Sequence, residues 1–187
     1  MMKKANFIPT KFLWIDLEMT GLVPDDDVIL EVAAEVTDAR LETLASYESR
    51  VQHSRELVLR RMQENTFWSG FPDNRDDFLA HLSSAKPLAA VEQELIKLVE
   101  HYFGSEPAVL AGNSIHSDRA FIKKWMPELD LKLHYRMLDV SSWKVVMQSM
   151  YDVQFEKPEV HRAFEDIQAS IAELQYYLEW FREHSNG

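Results

Sequence analysis

The run Phe12-Leu13-Trp14-Ile15 is apolar and strand-prone, and it leads straight into Asp16-Leu17-Glu18. Side chains alternate between the two faces of a strand, so both carboxylates share one face while Leu17 enters the opposite layer. Adjacent anions repel, and a fold that keeps them together needs a cation between them. Hard divalent ions such as Mg²⁺ or Mn²⁺ favour oxygen ligands of this kind. Gly21 then predicts a turn that takes the chain off the sheet beside the acids. Asp-x-Glu on its own equally describes a strand end with two solvated acids, so distant parts of the chain must decide.

Those parts predict one α/β layered domain with a mixed five-stranded sheet flanked by helices. Val28 to Val36 is apolar apart from Glu31 and Glu35, and Thr37-Asp38-Ala39-Arg40 closes it in a turn. Leu44 to Val51 supplies the next strand, and the short connections predict an antiparallel meander. Ser54-Arg55-Glu56-Leu57 opens a helical region, Phe67 to Pro72 interrupts it, and helical patterning resumes over Asp76 to His81. Leu88, Val91, Leu95, Leu98 and Val99 form the apolar stripe of a helix running to Tyr102. Ala108 to Ala111 predicts a buried strand, followed by a Gly112-Asn113-Ser114 loop and a helix from Asp118 to Met126, stopped at Pro127. Met137 to Val140 is the last strand, Ser141-Ser142 is the expected cap of a helix to about Met150, and Tyr151 to Val160 reads as loop. A long helix from Ala163 to about Glu183 closes the chain, with Ile167, Ser170, Ile171, Leu174, Tyr177 and Leu178 on its inner side.

The 187 residues, 46% of them hydrophobic, are enough for one substantial core, expected over about residues 10–184. Cysteine is absent, which excludes disulfides and cysteine-ligated zinc and fits a reducing cytoplasm. No leader opens the chain and no apolar run is long enough to span a bilayer, so a soluble intracellular protein without a membrane partner is expected. The net charge of −11 disfavours a clamp on long nucleic acid, which needs a broad basic surface. Arg119, Lys123, Lys124, Lys132, Arg136 and Lys144 gather in one segment, either a local phosphate-attracting patch or a solvated face.

Three further groups complete a site if they converge on the first strand. Asp118 begins a helix, Asp166 lies in the last helix, and His161 precedes it by five positions. Singly, Asp118 reads as a helix cap, and Asp166 and His161 as surface residues. Together, four carboxylates and an imidazole are the inventory for phosphodiester hydrolysis with two cations about 3.5–4 Å apart. Such cations activate a water and stabilise the departing oxygen, and a histidine with a pKa near 6.5 can take the water's proton.

The order Asp16-x-Glu18, Asp118, His161-x₄-Asp166 resembles the DEDDh branch of 3′-to-5′ exonucleases, whose fold is ribonuclease H-like. Longer blocks are similar to oligoribonucleases. They are Trp14 to Leu22, Gly112-Asn113-Ser114-Ile115, His134-Tyr135-Arg136 with Leu138-Asp139-Val140-Ser141, and Ala172-Glu173-Leu174 with Tyr176-Tyr177. The resemblance spans nearly the whole chain and implies a single exonuclease domain over residues 1–187. It implies hydrolysis of very short RNA, down to dinucleotides, from the 3′ end to nucleoside 5′-monophosphates, by a homodimer with two Mg²⁺ or Mn²⁺ ions per site. Asp16, Glu18, Asp118 and Asp166 would hold the metals and His161 would be the general base. Leu22 would wedge against the bases. Ser114 and Ser141 would help cap the 5′ phosphate, joined by Tyr135 and Arg136 from the other subunit.

The chain departs from that pattern twice. His116-Ser117 replaces the usual Gly-Gln before Asp118, and the acidic-acidic-Trp element after Met62 is replaced by Gln63-Glu64-Asn65. Trp68 or Phe67 is the expected substitute for a ring whose stacking contributes about 1–3 kcal/mol per base. The alternatives are another DEDDh exonuclease acting on RNA 3′ ends or short single-stranded DNA, or a catalytically silent nucleotide-binding homologue. The presence of all five site groups weighs against the last.

Overall fold

The computed structural model describes residues 7–156 and 162–184. Three strands, β1 (Lys11–Met19), β2 (Ile29–Asp38) and β3 (Thr43–Arg50), form the expected antiparallel meander. β4 (Ala108–Gly112) and β5 (Leu133–Asp139) then add in parallel on the other side of β1, giving the order β3-β2-β1-β4-β5. This is the mixed five-stranded sheet that a ribonuclease H-like fold implies.

Alternation along β1 divides the molecule into two layers. Leu13, Ile15 and Leu17 enter the core shared with α4 (Leu88–Phe103), α5 (His116–Trp125) and α6 (Pro127–Asp130), whose Val91, Leu95, Phe121, Ile122 and Leu129 are buried against them. Trp14 turns the other way, toward α7 (Val140–Tyr151) and α8 (Ala163–His184), where it packs with Met147, Ile167, Ile171, Leu174 and Tyr177. The Trp14 indole N–H is satisfied in that layer by Thr37 Oγ1 at 2.9 Å. Asp16 and Glu18 continue the Trp14 side, so they face α8. A smaller core of Val58, Met62, Trp68, Phe78, Leu79 and Leu82 joins α1 (Arg55–Glu64), α2 (Phe67–Gly70) and α3 (Pro72–His81) to Leu30 of β2.

Several boundaries differ from the sequence expectation for identifiable reasons. The interruption at Phe67 to Pro72 is itself a single helical turn, and α3 starts at Pro72, where proline's missing N–H costs no helix bond. α5 starts at His116, which puts Asp118 inside its first turn rather than at its start. β5 begins at Leu133, its alternation hidden by His134 and Arg136, polar residues that suit an edge strand. The cap of α7 is Asp139, whose carboxylate accepts from the Ser141 amide at 2.9 Å; Ser141 and Ser142 lie within the helix.

The sheet splits where the site begins. β4 pairs with β1 only through Phe12, Leu13 and Trp14, and the two strands diverge beyond Gly112. A crevice at the carboxyl ends of diverging parallel strands is where open α/β sheets take their ligands. On the other side, Asp27 closes the loop after β1 by accepting from Thr20 Oγ1 at 2.9 Å and the Val23 amide at 3.0 Å. Gly21 is needed for that approach, because a Cβ there would come within 2.5 Å of Asp27 Oδ2. Gly21→Ala is therefore expected to destabilise the fold by about 1–3 kcal/mol, the usual range for forced overpacking. Urea unfolding checks this; an unchanged midpoint would show that the loop yields freely.

Candidate active site

Asp16 and Glu18 on β1 meet Asp166 from the first turn of α8, and one carboxylate oxygen of each lies within 4.8 Å of the others. Hard oxygen donors this close suit a divalent cation such as Mg²⁺ or Mn²⁺, and this cluster can hold one. Asp118 approaches from the other layer. Beyond Trp14 no β4 partner remains for β1, and the Leu17 amide instead donates to Asp118 Oδ1 at 3.0 Å. That bond joins α5 to the strand between the two acids.

The electrostatics carry the imprint of crowding. Burial, then the charges of Asp166 and Glu31, push Glu18 from an ordinary 4.5 to about 8; Asp118 adds to the rise, and Arg162 opposes it. Burial likewise raises Asp118 to about 7, against the Leu17 amide, which favours its charged form. Glu31 sits directly across from Glu18 in the β1–β2 register, and its own value is raised by burial despite Arg162. Repulsion and desolvation both favour bound protons here, and a cation relieves both.

Around the carboxylates, the Gly112-Asn113-Ser114 turn is bound on two sides. Asn113 Nδ2 donates to Ser170 Oγ at 2.9 Å and Glu173 Oε2 at 3.1 Å on α8, while its Oδ1 accepts from Ser141 Oγ at 3.2 Å. Ser114 adopts a left-handed φ of 49°, a conformation uncommon outside glycine. Its amide is held there by Asp139 Oδ1 at 3.0 Å and Ser141 Oγ at 2.9 Å. The Ser114 and Ser141 hydroxyls consequently stand 3.1 Å apart. Gly112 permits this turn to approach β1, since a Cβ would lie 3.1 Å from the Ile15 carbonyl oxygen.

Leu22 is 77% exposed and borders a cleft of about 380 Å³ with Gly21, Val23, Arg61, Asn65 and Thr66. Tyr135 is 73% exposed on edge strand β5, with the Arg136 guanidinium 5.3 Å from its ring centre. His161 lies outside the described residues. Trp68 does not serve as the expected stacking ring: it is 2% exposed, and its indole N–H donates to the Thr20 carbonyl at 2.9 Å. Phe67, packed edge-on against it, keeps 41% of its surface exposed. His116 is exposed, with Nδ1 3.7 Å from Asp139 Oδ2. Much of the basic segment is already neutralised, Arg119 by Asp130 at 3.3 Å, Lys124 by Asp25 at 2.5 Å and Lys132 by Glu100 at 2.7 Å.

Sequence alone assigns no site role to Glu31, Glu35, Asp139 or Arg162. Glu31 and Glu35 did leave a signal: two acids four apart in an otherwise apolar strand share a face and need partners there. Glu35 accepts from Thr43 Oγ1 at 2.5 Å and from Gln168 of α8.

The exonuclease (RNase_T) family model matches residues 13–174. The oligoribonuclease of Corynebacterium glutamicum is 43% identical over 176 residues, covering 91% of this chain and 80% of that protein. The oligoribonuclease of Alcanivorax borkumensis is 40% identical over 173 residues, covering 90% and 94% respectively. Exonuclease I from Methylocaldum szegediense superposes with a TM-score of 0.64 at 16% identity, over 93% of this chain and 40% of that one. E. coli exonuclease I in complex with a dT13 oligonucleotide superposes at 0.63 and 14% identity, over 96% and 44%. The chain thus spans less than half of the exonuclease I chains, with which it shares the fold. Among the described residues, no helix is long and apolar enough to cross a membrane.

The raised acids set the pH dependence. Glu18 binds its proton more tightly in the folded chain than in the unfolded one, so its contribution to metal-free stability falls as pH rises from 4.5 through about 8. A divalent ion held by Glu18 would have to displace that proton and would bind more tightly as pH rises. Mn²⁺ is therefore expected to raise Tm more at pH 8 than at pH 6 and to release protons at pH 7, with Glu18→Gln removing most of the difference. Thermal scans and weakly buffered titrations check this; an equal or larger gain at pH 6 would contradict it.

Proposed function

This chain belongs to the exonuclease family and, within it, to the oligoribonucleases, and from that premise we propose that it hydrolyses short oligoribonucleotides. Cleavage proceeds from the 3′ end, down to dinucleotides, and releases nucleoside 5′-monophosphates. The observation that carries this reading is the meeting of Asp16, Glu18 and Asp166 within 4.8 Å, with Asp118 bonded to the strand between the first two.

Asp16, Glu18, Asp118 and Asp166 would hold two divalent ions, Mg²⁺ or Mn²⁺. When bound, such ions lower the pKa of a water nucleophile and stabilise the departing oxygen of the phosphodiester. Glu18 and Asp118, whose pKa values burial raises, would give up their protons to serve as ligands, so that all four carboxylates could hold the ions. His161 would act as general base, taking the proton of the attacking water, a task that an imidazole side chain can perform.

The substrate is gripped at both ends. Leu22, exposed beside its cleft, wedges against the bases, and Phe67 replaces the buried Trp68 as a stacking ring. The paired hydroxyls of Ser114 and Ser141 bind the 5′ phosphate, joined by Tyr135 and Arg136 of a second subunit in a homodimer. Support for the dimer comes from the projection of Tyr135 out of an edge strand, away from its own core. A cap on the 5′ end measures length, because a longer strand must displace it. This agrees with a net charge of −11, since a two-nucleotide substrate needs one local cationic patch rather than a basic surface. A cysteine-free chain of this kind fits the cytoplasm, where short RNA fragments arise.

The burial of Trp68 favours one second reading, an exonuclease of the same chemistry with relaxed length preference, acting on RNA 3′ ends or short single-stranded DNA. Initial rates on labelled two-, five- and twenty-residue RNA and DNA with Mg²⁺ or Mn²⁺ separate the two. The capped-end reading expects the shortest RNA to be cleaved fastest; equal rates on the twenty-residue strand would replace it with the second. His161→Ala should retain metal binding and lose about 10²–10⁴ in turnover, whereas Asp16→Asn should lose metal binding itself. Wild-type rates from either variant would remove the role assigned to that residue.

A further inference from the structure

The charged groups at the start of α8 form a linkage that the proposed chemistry leaves unexplained. Arg162 donates to Asp77 Oδ2 at 2.5 Å and lies 3.6 Å from Glu31 Oε1. Arg50 repeats both contacts, at 2.5 Å to the same Asp77 oxygen and 3.4 Å to the same Glu31 oxygen. Both guanidinium carbons stand 5.6 Å from the centre of the Phe78 ring. Two arginines and two acids, contributed by β2, β3, α3 and the residue preceding α8, thus close a circuit around one aromatic side chain.

Its position matters more than its charge balance. Glu31, 1% exposed at its side chain, stands opposite Glu18 across the β1–β2 register. The Arg162 carbonyl accepts from the Asp166 amide at 2.9 Å, the first helical bond of α8. The main chain of Arg162 therefore holds the turn that carries Asp166, while its side chain is fastened to α3 and β2. Arginine suits this task because its planar fork reaches two acceptors in fixed directions, which a lysine ammonium does not.

We propose that Arg162 is a positioning residue: clamped by Asp77 and Glu31, it fixes the first turn of α8 so that Asp166 shares a cation with Asp16 and Glu18. The proposal rests on reading those three carboxylates as metal ligands. Burial works to raise the Asp77 pKa, yet the hydrogen bonds from Arg162 and Arg50 more than offset it and hold the group below its ordinary value, as a clamped acid requires. Asp77 lies on α3 with its side chain partly exposed, so Asp77→Asn removes the charge that holds both guanidinium groups while leaving the carboxylates of the site in place.

The test compares the wild-type chain with Asp77→Asn and Arg162→Lys, the latter keeping the charge and losing the fork. In metal-free protein, hydrogen exchange at the Asp166 amide should be faster in both variants. Calorimetric titration should show Mn²⁺ bound about 10- to 100-fold more weakly, the usual cost of losing a group that orients a metal ligand. On a labelled RNA dinucleotide, kcat should fall at low Mn²⁺ with KM unchanged, and recover as Mn²⁺ is raised. Wild-type exchange together with wild-type Mn²⁺ affinity in Arg162→Lys overturns the proposal, as does a loss of thermal stability with both of those readouts unchanged. Failure of the wild-type protein itself to bind Mn²⁺ would instead overturn the metal reading, while the exchange measurement still reports on the clamp.

Discussion

Carboxylates crowded onto one face of a sheet repel one another, and much of this molecule is arranged to tolerate that. Asp16, Glu18 and Glu31 occupy neighbouring positions on β1 and β2, and Asp166 is brought down on them by α8. In water such a set would separate; here the strand register fixes three of its members and helix packing fixes the fourth. The cost appears in Glu18, where burial and its acidic neighbours raise the pKa to about 8. Arg162 is the one positive group among the main contributors to that shift, and its position just before α8 balances part of the repulsion.

The supporting structure converts sheet geometry into a site. Parting of β4 from β1 after Trp14 frees the Leu17 amide, which Asp118 then takes, so an α5 acid reaches the edge of the same strand. The same divergence gives space for the Asn113 and Ser114 turn. Asp139 binds the amides of both Ser114 and Ser141, capping α7 and setting the two serine hydroxyls side by side with one carboxylate. Asn113 connects that turn to Ser170 and Glu173 of α8. The helix that delivers Asp166 is thus tied at two places, by this amide and by the arginine circuit.

Legibility in the sequence followed how local each signal is. The strand with its paired acids, the apolar stripe of α4 and the inner side of α8 could be read from period alone, since alternation and helical spacing depend only on near neighbours. The meeting of Asp118 and Asp166 with β1 was reached through the order of motifs, because no local pattern brings residues 16 and 166 together. The capping role of Asp139 is not legible in the sequence, since Ser141-Ser142 offer more obvious caps, and only the fold shows an acid two residues earlier reaching both amides. Trp68 and Phe67 are equal candidates in the sequence because an aromatic ring reads the same whether it is to stack on a base or fill a subcore; the burial of Trp68 and its bond to the Thr20 carbonyl assign it to the subcore. The Arg162 circuit was invisible in one dimension, being assembled from four separated segments.

The central claim is that a cation belongs among these acids, and diffraction from crystals grown with Mn²⁺ tests it most directly. Anomalous scattering should place manganese within about 2.0–2.2 Å of oxygens from Asp16, Glu18 and Asp166, with metal–oxygen distances typical of small divalent ions. Ordered crystals at saturating Mn²⁺ with no anomalous peak at these carboxylates, or with manganese bound only elsewhere on the acidic surface, would contradict it.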